Sequence, residues 1–276
     1  MQVNETKRDE ENVHTYDNGF HPKPVHLKDN YRIYRTNIFY RFFNKVAIAA
    51  FIIMMFIPKR FVWGFKLVGR KNAKELNGSI MLSNHTHPFD VFSMITAIPT
   101  KRMYITMLES NLGFGFVSHV FRIGGAVPIP TPINLQKKFN KDTTKMVDMG
   151  YNVLFFPEAA LMPFCDHIRP FMPGAFHYVY NSKNRKVVPT MLTYHEPKGF
   201  YKLTRRHGPC IHYNILEPYY MEDLGNKRDS INKAKEDLHK IMSDYFIAHS
   251  DYYYDKDGNK IRNFQDLKYY TKKKKK

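Results

Sequence analysis

Residues 80–92 read IMLSNHTHPFDVF. The first four are an apolar, strand-like run, and Ser83-Asn84-His85 follow where that strand would end. Asp90 stands five residues after His85. On a continuous α-helix that separation is a rotation of about 500°, which leaves the two side chains well apart. Pro88 argues against such a helix. A strand ending near Ser83, a loop through Pro88 and a helix entered through Asp90 bring both side chains to one cleft. There an imidazole can take a proton while a carboxylate holds the ring and offsets its charge. Asp90 also suits a plain capping role for a helix over residues 91–98. His85-Thr86-His87 has the form of an H-x-H metal pair, but no later His-rich cluster completes a shell, so no metal is expected.

Working outward, strand and helix patterns alternate. An alternating segment at residues 66–69 leads past an Asn77-Gly78 turn into the strand at 79–83. Residues 126–129 read as a short strand. Residues 134–149 carry Leu135, Phe139, Met146 and Met149 at helical spacing, with Gly150 placed to end the helix. Residues 152–156 read as a largely apolar strand running into Pro157-Glu158. Further strands are expected over 186–192 and 211–216. Pro189, within the first of these, points to an edge or a strand end. Ile231, Ala234, Leu238, Ile241, Tyr245 and Ala248 mark one face of a closing helix. The expected fold class is α/β, a mixed central sheet flanked by helices.

The 276 residues allow one sizeable α/β domain with extensions, or two small domains, and 43% hydrophobic and 15% aromatic residues exclude disorder throughout. Cys165 and Cys210 are the two cysteines, set in no metal-ligand spacing, and fit a reducing compartment. A net charge of +18 calls for an anionic partner or surface. No helix-turn-helix, zinc-finger or RNP-like signature is present, so nucleic acid is not expected among the partners. The N-terminal NETKRDEEN does not read as a secretory signal peptide. Residues 46–57, VAIAAFIIMMFI, would make about 18 Å of helix. That falls short of a hydrocarbon core of about 30 Å, and a helix lying in one leaflet fits the run better than a spanning one. The organisation expected is a polar arm over 1–30, a basic and apolar membrane-associating helical segment over 31–66, a catalytic domain over 67–248 and a basic tail over 249–276.

Several blocks carry the functional reading. Asn84-His85-Thr86-His87-Pro88-Phe89-Asp90 has the form N-H-x4-D. Gly124-Gly125-Ala126-Val127-Pro128-Ile129 is a glycine-led strand. Phe156-Pro157-Glu158 ends a buried strand, Pro170-Phe171 leads to Gly174-Ala175-Phe176, and Val187-Val188-Pro189 is a strand with a V-P pair. Val68-Gly69-Arg70-Lys71-Asn72 precedes them all. In order and spacing, across residues 40–195, these blocks resemble the lysophospholipid acyltransferase family, best known for 1-acylglycerol-3-phosphate O-acyltransferases. Two of the family's cations are absent. Pro130-Thr131 stand where an Arg usually closes the second block, and Ala159-Ala160-Leu161 replace the Gly-Thr-Arg that continues the third.

The resemblance implies a membrane-associated acyltransferase of phospholipid biosynthesis. It would move a fatty acyl group from acyl-CoA or acyl-carrier protein to a hydroxyl of a lysophospholipid, 1-acylglycerol-3-phosphate first, with no cofactor beyond the donor. His85 would be the general base and Asp90 its orienting partner. Asn84, Glu158, Gly125, Arg122 and Arg169 would bind substrate, the arginines in place of the missing cations, with Lys137 or Lys138 as other sources of charge. Amides near Asn84 or the Gly124-Gly125 turn would face the developing oxyanion. Partners would be membrane lipids, the lysolipid and the acyl donor, at the cytoplasmic face of the cell membrane, peripheral or monotopic. A lysolipid without the phosphate is the alternative acceptor. A non-catalytic lipid-binding protein of the same fold, or a metal-dependent hydrolase, are the rivals.

Overall fold

A computed structural model describes residues 23–87, 89–99, 101–165, 167–204 and 209–251. Most of the polar arm, Pro88 and the lysines at 272–276 lie outside them. The strands are β1 (Lys66–Val68), β2 (Ile80–Ser83), β3 (Met103–Leu108), β4 (Ala126–Ile129), β5 (Asn152–Phe155), β6 (Lys186–His195), β7 (Cys210–Ile215) and β8 (Tyr219–Tyr220). They form one mixed sheet in the order β1-β7-β6-β2-β5-β3-β4, with β8 also against β6. The run β6-β2-β5-β3-β4 is parallel, β7 and β8 are antiparallel to β6, and β1 is parallel to β7. The parallel strands β2 and β5 are buried at every position, as strands covered on both faces must be.

The longer helices are α1 (Ile38–Ile57), α2 (Asp90–Ala97), α3 (Phe116–Ile123), α4 (Ile133–Asp148), α5 (Gly174–Asn181) and α6 (Lys227–His249). α1 packs on α2 and α3, while α5 packs against both α4 and α6. Right-handed crossovers put the two groups on opposite faces of the sheet, since the chain moves towards β4 through α2 and α3 and returns through α4 and α5. Residues 23–37 wrap the chain before α1. Leu27 N–H donates to Glu109, Tyr34 meets Thr143 at 2.7 Å, and Ile33 and Tyr34 are core residues. The start of the expected membrane-facing segment is therefore part of the domain's core.

α1 is longer than the apolar run suggested. Asn37 caps it by accepting from Tyr40 N–H, and it continues into a single π-helical stretch, Pro58–Val62. Tyr40, Asn44, Ile48, Phe51 and Met55, spaced by three or four residues, turn towards the domain. Among the described residues no helix is long and apolar enough to cross a membrane.

Pro189 corrects the edge-strand reading. It lies inside β6, which is paired on both sides. Leu216 N–H donates to Pro189 O, so the proline's nitrogen faces the gap between β8 and β7, where no ladder donor is needed. The buried stripe of α6 also differs from the expected one. After Leu238 it follows Met242 and Phe246, steps of four, and Ile241 is exposed.

Candidate active site

β2 ends at Ser83, and the next residues stand at the carboxyl end of the parallel strands, where open α/β sheets hold ligands. Asn84 is fully buried, and its amide is a clamp rather than a substrate ligand. Its Oδ1 accepts from Leu192 N–H at 2.9 Å, and its Nδ2 donates to Leu192 O at 3.0 Å. This carries the β2–β6 pairing one residue past the strand and fixes where His85 emerges. β5 is the other neighbour of β2, with Leu82 opposite Phe155. Phe156 therefore leaves the sheet beside His85, and the two rings stack with centroids 4.1 Å apart.

Asp90 opens α2 and is wholly buried, while His85 keeps a quarter of its side-chain surface exposed. Nδ1 of His85 lies 2.7 Å from Asp90 Oδ2, and Asp90 Oδ1 accepts from Val91 N–H at 2.6 Å. One carboxylate thus accepts from the first turn of the helix with one oxygen and orients the His85 ring with the other. A carboxylate only accepts, which puts the imidazole proton on Nδ1 and leaves the Nε2 lone pair to act as base. The loop after β5 closes over the backbone here. Met162 N–H donates to His85 O and Phe164 N–H to Thr86 O, and Tyr194 Oη donates to Thr86 O.

His87 is structural. Its Nδ1 accepts from Phe89 N–H, and its ring stands edge-on to Trp63 at 5.0 Å. Trp63 also meets Phe89, and Phe92 contacts Phe51 of α1, so an aromatic cluster ties α1 and the turn after it to the His85–Asp90 segment. Lys59 fastens the same region. Its Nζ donates to Ser93 O and Thr96 Oγ1 near the end of α2, and burial pushes its pKa down to about 8.

The other nominated residues serve the scaffold. Glu158 is fully buried and accepts from Arg169 Nε at 3.0 Å and Nη2 at 2.8 Å. Arg169 Nη2 also donates to Ala160 O. The pair stitches the loop after β5 to the segment leading into α5, and Nη1 of Arg169 is buried without a hydrogen-bond partner among the described residues. Arg122 donates to the carbonyls of Ala126, Arg32 and Ile33, which holds the wrapping segment against the β4 edge. Neither guanidinium is free as an acceptor ligand in this arrangement, and Glu158 has no surface to offer one. The Gly124-Gly125 turn supplies no oxyanion donors, because Gly124 N–H donates to Val120 O and Gly125 N–H to Arg122 O. Gly125 serves the turn itself, at φ 106°. Lys138 donates to Tyr31 O, and Lys137 is exposed on α4.

The sequence reading missed Phe156 as a platform for His85, the Asn84–Leu192 clamp and the Trp63 cluster. Phe156 stood in a nominated block, but only the strand order places it beside His85.

Residues 64–193 match the family model described as Acyltransferase. No curated protein matches the chain in sequence. Among solved structures, the 1-acyl-sn-glycerophosphate (LPA) acyltransferase PlsC from Thermotoga maritima is similar over 76% of this chain and 81% of its own, with 15% identity and a TM-score of 0.48. The family-model match runs from β1 through most of β6 and takes in both members of the His85–Asp90 pair, so over that stretch the chain is similar to the acyltransferase family.

Proposed function

We propose that the protein is a membrane-associated glycerolipid acyltransferase of phospholipid biosynthesis, transferring a fatty acyl group from acyl-CoA or acyl-carrier protein to a lysophospholipid hydroxyl. The observation that carries this is the His85 Nδ1–Asp90 Oδ2 contact of 2.7 Å, with the ring partly open to solvent. In the reaction, Nε2 takes the proton of the lipid hydroxyl as its oxygen attacks the thioester carbonyl carbon. The C–S bond then breaks, and the leaving thiolate takes the proton from the imidazolium. Asp90 stabilises the charged ring between the two transfers. No acyl-enzyme and no resident cofactor are part of this scheme.

The exposed face of α1 supports peripheral or monotopic membrane association, which we place at the cytoplasmic face by the resemblance. Ile38, Phe39, Phe42, Phe43, Ile53 and Ile57 are each more than half exposed, an apolar face far larger than a soluble surface ordinarily leaves to water. 1-Acylglycerol-3-phosphate is the first acceptor by resemblance, although the buried Arg122 and Arg169 offer its phosphate no exposed guanidinium. The internal bonds of Arg122 and Arg169 favour a second reading, a lysolipid without the terminal phosphate.

A panel of lysolipid acceptors crossed with acyl-CoA and acyl-carrier-protein donors tests the proposal, run with wild type and His85→Ala. Wild type should acylate at least one lysolipid, and His85→Ala should lose about 10²–10⁴-fold in kcat with its melting temperature nearly unchanged. Full activity in His85→Ala would sink the assignment.

A further inference from the structure

The loop between β6 and β7 contains a single helical turn, Tyr201–Thr204, that the sequence patterns did not mark. It is docked on the turn that follows α1. Tyr201 Oη donates to Arg60 O at 2.7 Å and lies 3.4 Å from Arg60 Nη1, and the Tyr201 ring closes over Gly64. The docking aims the flanking side chains outward. Phe200 is 59% exposed and Leu203 77%, next to a turn whose Phe61 and Val62 are also exposed. Ile57 and Phe56 continue the same surface back into α1. Lys198, Arg60 and Lys202 are exposed among these apolar tips, and none of them forms a salt bridge among the described residues.

Large apolar side chains on an exposed turn, rimmed by cations with no salt bridge among the described residues and continuous with an apolar helix face, are the chemistry of an anionic bilayer surface. A buried core contact is ruled out by the exposures. A loop that merely closes β6 to β7 has no need of Phe and Leu at its tip. We propose that Pro58–Val62 and the 199–204 turn form a second lipid-inserting wedge that extends the exposed face of α1 beyond the helix. The proposal rests on the membrane-associated reading above and gives it a location. The wedge stands one ring away from the catalytic segment, because Trp63, directly after Pro58–Val62, contacts both His87 and Phe89. Phe89 is itself 46% exposed. Inserting the wedge therefore sets the His85–Asp90 segment beside the headgroup layer, where a lysolipid hydroxyl lies.

The test uses the full chain and vesicles of phosphatidylcholine with and without phosphatidylglycerol. Phe200→Ser with Leu203→Ser should lower partitioning onto the anionic vesicles roughly tenfold, from the apolar surface no longer transferred. Turnover of a short-chain, monomeric lysolipid should stay at the wild-type rate, which also reports intact folding. Leu203→Trp should keep binding, and its added fluorescence over the single native Trp63 should be quenched by brominated lipid. Phe42→Ser with Phe43→Ser, on α1, is the comparator. If that pair loses binding while the loop pair binds as wild type and the Leu203→Trp signal is not quenched, the wedge is refuted and membrane association stands. If neither pair loses binding, the wedge is refuted as a membrane contact, and if the wild type does not bind the anionic vesicles at all, the membrane reading fails and the wedge falls with it. A wild-type dimer that the loop pair makes monomeric, with vesicle binding unchanged, would assign the patch to a second copy of the chain and overturn the proposal.

Discussion

Asp90 accepts from the first turn of α2 with one oxygen and orients His85 with the other, so its chemistry separates from its structural role by choice of substitution. In Asp90→Asn the carbonyl can still accept from Val91 N–H, but the amide nitrogen then faces His85 Nδ1 as a donor. The imidazole must answer with a lone pair at Nδ1, which moves its proton to Nε2 and removes the base. We expect kcat to fall by about two to four orders of magnitude with a nearly wild-type melting temperature, and ¹⁵N NMR of the His85 ring to report the exchanged tautomer. Retention of most of the activity with the original tautomer would remove Asp90 from the mechanism. His85 and Asp90 were legible in the sequence because they are close neighbours and one turn brings them together. Glu158 and Arg169 were legible as residues but not in role. A charge reads in sequence as available for substrate, and only packing shows that a buried partner has already taken it.

At the scale of elements, the Asn84 clamp couples β2 to β6 across 108 residues of chain. Asn84→Ala would leave Leu192 N–H and C=O buried without those partners, at a cost of about 2 kcal/mol or more in stability. The β2 end would loosen with it, so kcat should fall even though no substrate contact is lost. Urea denaturation and steady-state kinetics on one preparation check both, and an unchanged urea midpoint would refute the clamp. The strands β2, β4 and β5 could be read from sequence because each is a short apolar run bounded by turn residues. β3 and α3 could not. MYITML fits a buried helix as well as a strand, and FVSHVFRI puts polar side chains among apolar ones that stay exposed. β6 extended beyond its expected end because β7 pairs with Thr190 through His195, which only topology supplies.

Across the whole molecule, the apolar face of α1 and the lysines of α4 lie on opposite sides of the sheet, so a net charge of +18 is not one field facing one partner. Neither is α1 a removable anchor. Phe51 and Met55 are buried, and the segment before it carries Ile33 and Tyr34 into the core, so point substitutions on its exposed face test membrane binding more cleanly than truncation. Global stability carries its own pH signature in the antiparallel half of the sheet. His195 and His212 stack with centroids 3.6 Å apart. Next to them Asp251 N–H donates to Tyr194 O and Ser250 Oγ bonds Tyr194 on both sides, which ties the end of α6 to β6. Burial holds both imidazoles neutral, bringing His212 down to about 4 with the neighbouring His195 adding to it. For His195 burial again leads, Asp251 opposes it, and Lys66, His249 and Lys198 reinforce it. In the unfolded chain histidine titrates near 6.5, so between about pH 6.5 and 4 the unfolded state binds more protons than the folded one. The stability from this pair is therefore complete above pH 6.5 and is lost as pH falls towards 4. Urea midpoints at pH 7, 6 and 5 should decline for wild type, and His212→Gln, whose side chain does not titrate, should decline less steeply whatever its starting stability. Equal slopes would assign the acid sensitivity to carboxylates elsewhere in the fold, whereas a flatter slope in the variant ties it to the imidazole pair and to the α6 end it sits beside.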